Sequence, residues 1–167
     1  VGAFTGGMVA LEKAELVRPI QKAVLDQGKS ILGICLGMQL MAEEGYEGGR
    51  RTGLGLLPMT VRKLESDSLD LRIPHMGWDN VIASEGSILF SDIPENPDFY
   101  FAHSYHVVCN DESIVTATCN YGRRFVAAVE RGNVFGTQFH PEKSQRYGLL
   151  LLNNFLTHCK NVIVKSR

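Results

Sequence analysis

The alternation of apolar and polar positions divides the chain into a helical beginning, a strand-rich middle and a helical end. Over residues 8–25 apolar side chains recur at helical spacing, and Pro19 predicts a short helix followed by a longer one that starts near it. Gly28 is a suitable stop for the second helix. An amphipathic pattern over residues 148–159 predicts a final helix.

Between these helices the pattern is typical of strands. The short apolar run at residues 30–34 predicts a buried strand, and residues 36–44 predict a helix directly after it. Tyr121-Gly122 and Arg131-Gly132-Asn133 are typical of hairpin turns. We expect one α/β domain over residues 1–167, with a mostly parallel central sheet flanked by helices and antiparallel hairpin additions. The remaining predicted strands cover residues 60–64, 78–83, 99–102, 114–119, 125–130 and 134–139.

Composition narrows the class of protein. The 167 residues are 44% hydrophobic and 21% charged, which argues against disorder and coiled coil. A net charge of −1 gives no electrostatic basis for binding nucleic acid or an anionic membrane surface. No apolar run approaches the roughly 20 residues that a bilayer requires. The spacing of the four cysteines favours neither a zinc site nor a disulfide framework, so we expect a reducing cytoplasm.

The strongest chemical motif is Gly33-Ile34-Cys35-Leu36-Gly37, between the predicted buried strand and its helix. This is the nucleophile-elbow pattern with Cys in place of Ser, and its glycines are expected to permit close approach of neighbouring chain. We expect the helix N-terminus to lower the pKa of Cys35 and the Leu36 N–H to face an oxyanion. Taken alone, Cys35 could equally be a small buried apolar residue.

A second motif follows the last predicted strand. Thr137-Gln138-Phe139-His140-Pro141-Glu142-Lys143 places a histidine and a carboxylate two residues apart. A cysteine nucleophile needs a general base, and the base needs an acceptor that fixes its tautomer. Reacting groups in an open α/β sheet gather at the carboxyl ends of strands. We therefore predict a triad of Cys35, His140 and Glu142.

Together the two motifs resemble the class I, or triad, glutamine amidotransferases. The resemblance rests on Gly-Ile-Cys-Leu-Gly-Met-Gln at residues 33–39, on Phe-His-Pro-Glu at residues 139–142, and on their order. It implies that Cys35 attacks the carboxamide of L-glutamine, that a thioester forms, and that glutamate and ammonia are released.

Longer stretches resemble one branch of that family, the glutaminase subunits of imidazole glycerol phosphate synthase. They are residues 73–78 (IPHMGW), 101–105 (FAHSY) and 139–144 (FHPEKS), and the resemblance runs along the whole chain. It implies a heterodimer with a (β/α)-barrel cyclase subunit that receives ammonia through a tunnel, in the biosynthesis of histidine and a purine precursor. Trp78, Tyr100 and Lys143 would face that partner, although Trp78 could also be a core residue.

The same resemblance implies roles around the substrate. The Leu36 N–H would be one oxyanion donor, and Val1-Gly2, the tail of the family's Pro-Gly-Val-Gly loop, would supply the other after a backbone flip. No cofactor is implied, and the spacing of His103 and His106 on a strand argues against a metal site. The residues implied to bind glutamine are Gln39, Glu47, His103, Ser104 and Tyr105.

The resemblance also implies a strand, a helix and a strand ahead of that loop. The corresponding portion, about 40 to 60 residues by the size of a βαβ unit, is not in this sequence. We expect that a chain starting at Val1 would expose a sheet edge, would not fold stably and would not turn over.

Three other interpretations stay open at this point. The chain could feed ammonia to a different acceptor enzyme, such as one that amidates surface sugars. It could be a cysteine peptidase or γ-glutamyl hydrolase of the same fold. It could also be a binding module in which Cys35 is only buried; such a module has no need of the His140 and Glu142 pair.

Overall fold

The computed structural model of the protein describes residues 3–65 and 71–165. The first helical region contains two helices, α1 (Phe4–Lys13) and α2 (Val17–Gln21), and α2 continues as a π-helical turn over Lys22–Asp26. The number of helices is as predicted, but the second is not the longer one, since α1 has 10 residues and α2 has 5. The break between the two helices lies at Glu15, which has a φ of +56°, and therefore comes before Pro19. Gly28, with a φ of +63°, follows the π-helical turn and provides the left-handed position that helix ends favour.

The strands predicted from alternation are confirmed with small shifts of their ends. The buried strand is β1 (Ile31–Ile34), and the helix after it, α3 (Leu36–Leu40), is shorter than predicted. The final helix, α4 (Gln145–Lys165), is longer than predicted. The remaining strands are β2 (Glu44–Gly45), β3 (Arg51–Thr52), β4 (Met59–Lys63), β5 (His75–Ala83), β6 (Asp98–His103), β7 (Tyr105–Cys109), β8 (Val115–Tyr121), β9 (Arg123–Arg131) and β10 (Val134–Thr137).

Within the described ranges these strands form a six-stranded sheet in the order β1-β10-β9-β8-β5-β6 and a four-stranded sheet in the order β3-β2-β4-β7. The expectation of a mostly parallel sheet is wrong for these strands, since only the β1–β10 and β2–β4 pairs are parallel. The reason is connectivity: tight turns join β8 to β9 and β9 to β10, and a tight turn makes antiparallel neighbours. The α/β class itself and the two hairpins are as predicted.

The parallel pair positions the site. Strands β1 and β10 run side by side, with Ile34 opposite Thr137 at their carboxyl ends. Cys35 directly follows one strand, and the segment that carries His140 follows the other. The fold therefore brings Cys35 and His140 to the same edge of the sheet.

Two apolar clusters support this edge. One lies around α1, α3 and the four-stranded sheet and is rich in methionine, with Met8, Met38, Met41 and Met59 buried. The other lies between the six-stranded sheet and α4 and is rich in phenylalanine: Phe90, Phe99, Phe101, Phe125, Phe135 and Phe139. We call them the methionine cluster and the phenylalanine cluster. Helices long and apolar enough to cross a bilayer are absent from the described parts of the chain.

Candidate active site

The backbone at Cys35 has the strained geometry expected of a nucleophile elbow. Its φ is +49° and its ψ is −106°, a conformation that a residue with a side chain rarely adopts. The Cys35 N–H donates to the carbonyl of Thr137 at 2.7 Å, which ties the turn to β10. A Cβ on Gly33 would lie 2.6 Å from the Met38 nitrogen, so this glycine is needed for close packing. Gly37 has open space within 4 Å of its Cβ position among the described residues, so only the first glycine fulfils the expected role.

The sulfur of Cys35 is buried and has polar neighbours. The side-chain nitrogen of Gln138 donates to Sγ at 3.5 Å, and the carbonyl of Ala102 lies 4.0 Å from it. Burial raises the pKa of the Cys35 thiol, although the Leu36 N–H and Gln138 both oppose that shift. The N–H at the start of the helix therefore lowers this pKa as expected, but desolvation outweighs it and the net shift is upward. A thiol with a raised pKa needs a base to become a nucleophile.

The predicted base and its orienting carboxylate are in contact. His140 Nδ1 lies 2.7 Å from the Glu142 carboxylate, in the turn between β10 and α4. The backbone of His140 is fixed by its N–H, which donates to the Tyr100 carbonyl at 2.8 Å, and by its carbonyl, which accepts from the Ser144 hydroxyl at 2.6 Å. Nε2 of His140 is buried and has no hydrogen-bond partner among the described residues. This nitrogen is therefore free to accept a proton, but it makes no hydrogen bond with Cys35 Sγ in this structure, so the nucleophile and the base are brought to one side of the sheet without touching.

A cavity of about 380 Å³ lies beside Cys35. Every predicted substrate residue reaches it: its wall includes Gln39, Glu47, His103, Ser104 and Tyr105, together with Leu36. Sequence reasoning missed the other members of the wall, Ala3, Pro74, Met76 and Ala102. The predicted oxyanion residues Val1 and Gly2 lie outside the described residues, so their role stays a prediction.

Glu47 is the acidic group of the cavity wall. One of its carboxylate oxygens accepts the Phe4 N–H at 2.7 Å, and its backbone carbonyl accepts the Thr5 hydroxyl at 2.6 Å. These bonds hold Glu47 against the first turn of α1. A fixed carboxylate in a cavity wall suits a cationic group of a small substrate.

His103 is a buried histidine with both ring nitrogens engaged. Its Nδ1 lies 2.9 Å from the Tyr105 carbonyl, which only accepts, so Nδ1 carries the proton. Its Nε2 lies 3.2 Å from Nδ1 of His75, and His75 Nε2 lies 3.2 Å from the Asp79 carboxylate. Burial lowers the pKa of His103 to about 3, so the ring is neutral. His103 therefore lines the cavity and is also a satisfied structural histidine.

His106 is the other histidine of the H-x-x-H pair. Its pKa is lowered by burial, and its Nδ1 has no hydrogen-bond partner among the described residues. Groups of three or more His, Cys, Asp or Glu side chains that could hold a metal ion are absent from the parts of the chain that the structure describes.

Gln39 and Gln138 form a buried polar pair that the motif analysis did not connect. Gln39 Nε2 donates to the Tyr105 carbonyl at 2.8 Å and to the Gln138 side-chain oxygen at 3.1 Å. Gln138 directly follows β10 and is fully buried. Its sequence neighbours, Thr137 and Phe139, do not single it out, because its partners Gln39 and Cys35 lie far away along the chain.

The three predicted interface residues lie together on β5, β6 and the turn after β10. Trp78 is 47% exposed, so it is not a core residue. Its ring meets that of Tyr100 edge-on at 6.0 Å, and Lys143 Nζ lies 5.8 Å from the centre of the Tyr100 ring. We call Trp78, Tyr100 and Lys143 the aromatic patch. Met76, 64% exposed and two residues from Trp78 on β5, connects the patch to the cavity wall.

Proteins of known class resemble this chain over most of its length. The family model described as glutamine amidotransferase class-I matches residues 3–159. The imidazole glycerol phosphate synthase subunit HisH 1 of Campylobacter jejuni (strain RM1221) is 48% identical over 156 residues, which cover 93% of this chain and 77% of that protein. The subunit HisH of Moorella thermoacetica is 46% identical over 155 residues, covering 93% and 72% of the two chains.

Solved structures extend the comparison to the fold. A glutamine amidotransferase from Thermotoga maritima superposes with a TM-score of 0.57 at 19% identity, covering 93% of this chain and 59% of that one. At this identity the likeness concerns the fold alone. The fold agrees with the class that the two sequence motifs predict.

Proposed function

Because the chain belongs to the class-I glutamine amidotransferase family, we propose that it hydrolyses L-glutamine to glutamate and ammonia as the glutaminase subunit of an imidazole glycerol phosphate synthase. One observation carries the proposal. A strained, buried cysteine and a carboxylate-bound histidine follow the carboxyl ends of two adjacent parallel strands. A protein that only binds ligands has no use for that combination.

The chemistry starts with proton transfer. His140 Nε2 takes the proton of the Cys35 thiol, and the imidazolium that forms is stabilised by Glu142 at Nδ1. The sulfur attacks the carboxamide carbon of glutamine and forms a tetrahedral intermediate. When the C–N bond breaks, His140 returns its proton to the leaving nitrogen, so ammonia departs and a thioester remains. Water, deprotonated by His140, then adds to the thioester carbon and forms a second tetrahedral intermediate. Its C–S bond breaks, glutamate leaves, and the proton on His140 returns to the Cys35 sulfur.

The oxyanion that forms in each step needs donors. The Leu36 N–H lies at the start of α3 beside the sulfur, where it faces the developing charge. The second donor that we propose is the backbone of Val1-Gly2, after a flip that occurs once a partner is engaged. This makes the resting enzyme slow.

The cavity wall accounts for recognition of the amino-acid end of glutamine. Glu47 offers its carboxylate to the α-ammonium group, and its bond from the Phe4 N–H holds it in place. Gln39 and residues 103–105 also line the cavity, and the Ser104 N–H can donate to the α-carboxylate. The amide nitrogen of Gln39 is already engaged with the Tyr105 carbonyl, so its contact with substrate is made by its oxygen.

Ammonia leaves toward a partner in this proposal. Met76 belongs to both the cavity wall and the exposed strand that carries Trp78, so the aromatic patch lies next to the place where ammonia forms. Exposed Trp and Tyr rings with a nearby cation are typical of binding hot spots. We assign this patch to a (β/α)-barrel cyclase subunit in a heterodimer. All four cysteines are free thiols, which fits a cytoplasmic protein.

The test is glutamate release from L-glutamine by the full-length chain, including the portion ahead of Val1, measured with and without the cyclase subunit and its nucleotide ligand. We expect low activity alone, a large rise with partner and ligand, and a loss of at least about 10³-fold in Cys35→Ala. Activity that ignores the partner would indicate a free hydrolase. No activity in any condition would favour a binding module.

The partner assignment has its own matched pair of variants. Trp78→Ala is expected to weaken cyclase binding about 30-fold or more, as for an interface hot spot. Ile82→Ala is the control, because Ile82 is 52% exposed on the same strand and lies outside the patch. Equal binding by both variants would remove the patch from the interface. Binding to a sugar-amidating synthase instead of the cyclase would assign the chain to the other acceptor.

A further inference from the structure

A fully buried glutamine lies behind the nucleophile and has no part in the chemistry given above. Gln138 has 0% of its surface exposed, and its backbone N–H donates to the Ala127 carbonyl at 2.8 Å. Burial of a carboxamide costs free energy unless its donors and acceptor find partners. The partners of Gln138 therefore indicate why a polar side chain occupies this place.

The orientation of the Gln138 carboxamide follows from a chain of contacts anchored at a backbone carbonyl. The Tyr105 carbonyl can only accept, so the Gln39 atom at 2.8 Å from it is the amide nitrogen. That nitrogen can only donate, so the Gln138 atom at 3.1 Å from it is the oxygen. The remaining Gln138 atom, its amide nitrogen, then faces Sγ of Cys35 at 3.5 Å. Each assignment fixes the next one.

We propose that Gln138 is a positioning residue for the nucleophile: its side-chain N–H holds the Cys35 sulfur in place and stabilises the thiolate, and Gln39 locks the orientation of that N–H. The consequence for turnover rests on the proposed glutaminase function, whereas the consequence for the thiol does not.

The division of donors around the sulfur supports this role. The Leu36 N–H also lies against Sγ, but in the reaction it is needed at the oxyanion. Gln138 is buried and lies outside the residues that line the cavity beside Cys35, so its N–H stays with the sulfur throughout. A hydrogen bond to a charged sulfur is stronger than one to a neutral thiol, so the contact favours the thiolate. It opposes the effect of burial on the pKa of Cys35.

The test compares the Cys35 thiol in the unsubstituted protein and in Gln138→Met, which keeps a similar volume and lacks the donor. The rate of alkylation of Cys35 by iodoacetamide is measured against pH, with the Cys35 peptide identified by mass spectrometry. We expect the midpoint of the profile to rise by about one pH unit and alkylation at pH 7.5 to slow about tenfold. With glutamine, kcat is expected to fall while KM changes little.

A second variant tests the lock without emptying the position behind the sulfur. Gln39→Met leaves Gln138 in place but removes the donor that fixes its oxygen, so a smaller rise of the same midpoint is expected. This variant decides the matter if Gln138→Met does not fold. An unchanged alkylation midpoint in a folded Gln138→Met would overturn the proposal, and so would a lower kcat without any change of the midpoint. Absence of glutaminase activity in all forms would count against the proposed function and leave the thiol readout intact.

Discussion

The nucleophile and its base are supported by different parts of the molecule. Cys35 is held by main chain, in a turn with a φ of +49° that rests on the methionine cluster through Met38. His140 follows Phe139, whose ring stacks on Phe99 at 4.0 Å within the phenylalanine cluster. We call these the nucleophile side and the base side.

The two sides also differ in their access to water. The nucleophile side is closed, with 3% of Cys35 exposed, and burial raises the pKa of its thiol. The base side is open at its outer end, where 46% of the Glu142 side chain is exposed. The difference suggests a division of tasks: burial on the closed side favours the protonated thiol, and the open side gives the Glu142 carboxylate beside the imidazole access to water. Substitutions on the two sides should therefore differ in their effect on the free energy of unfolding, from a large loss at buried positions to a small one at exposed positions.

Removal of the aromatic support is expected to have the largest effect. Phe139→Ala deletes a fully buried ring that contacts Phe90, Phe99 and Phe101, and should lower the free energy of unfolding by about 3–5 kcal/mol. Urea denaturation measures this change. On the nucleophile side, Met41→Leu conserves volume in an adaptable cluster and should cost less than about 1.5 kcal/mol. A loss below about 1.5 kcal/mol in Phe139→Ala would contradict the supporting role of its ring.

A methyl group under the elbow is expected to have the next largest effect. Gly33→Ala would place its Cβ 2.6 Å from the Met38 nitrogen and 2.7 Å from the Gly37 carbonyl, which are backbone atoms that cannot rotate away. The expected loss is about 3 kcal/mol in urea denaturation, with loss of Cys35 reactivity. Gly37→Ala is the control within the same motif, since its Cβ would meet open space, and it should leave the stability unchanged or slightly raised. A Gly33→Ala protein of unchanged stability would contradict this prediction, because it would show that β1 and α3 can separate enough to admit the methyl group.

Acid should destabilise the protein through its buried histidines. The pKa of His103 is about 3 in the folded protein, against an ordinary value of about 6.5, so only the unfolded chain takes up this proton between those values. The free energy of unfolding should therefore fall as the pH drops from about 6.5 towards 3, by at most about 1.4 kcal/mol per pH unit for one proton. Burial lowers the pKa of His75 and His106 as well, which adds to the effect in the same direction.

The variant His103→Gln separates this contribution from the rest. It keeps a donor for the Tyr105 carbonyl and removes the titrating ring. Urea denaturation at pH 7 and pH 5 should show a smaller acid loss in the variant than in the unsubstituted protein. The same acid loss in both would assign the effect to other groups.

The smallest effect on stability is expected on the open side. Glu142→Gln removes the charge of a half-exposed carboxylate and should change the free energy of unfolding by less than about 1 kcal/mol. Glutamate release should nevertheless fall by about 10² to 10⁴-fold, because the imidazolium that forms on His140 loses its counter-charge. Activity within a few-fold of the unsubstituted protein would exclude Glu142 from the proposed triad.

Local features of the sequence predicted much of this arrangement. The strand, turn and helix around Cys35 depend on neighbouring residues, and the alternation over residues 75–137 reflects strands with one buried face. The proximity of Cys35 and His140 to one sheet edge followed from the rule on strand ends, and the β1–β10 pair confirms it.

Features that depend on distant contacts were not predicted. The antiparallel pairing of β5 with β8 joins segments far apart along the chain and was not predicted. The strand β7 (Tyr105–Cys109) was not predicted either, because only Ser104 separates it from β6 and no turn motif marks its start. The direction of the Cys35 pKa shift is set by burial, which a motif does not record. Gln138 contacts Cys35 across 103 positions of sequence, so its place behind the sulfur is visible only in the fold.

The most direct test of the account is covalent labelling of Cys35 by a glutamine-mimicking electrophile such as a diazoketone analogue, followed by intact and peptide mass spectrometry. We expect one adduct per chain, located on Cys35, with the labelling rate reduced at least about 10²-fold in His140→Asn and protected by excess L-glutamine. Absence of an adduct on Cys35, or labelling at the same rate in His140→Asn, would contradict the claim that Cys35 is a nucleophile activated by His140.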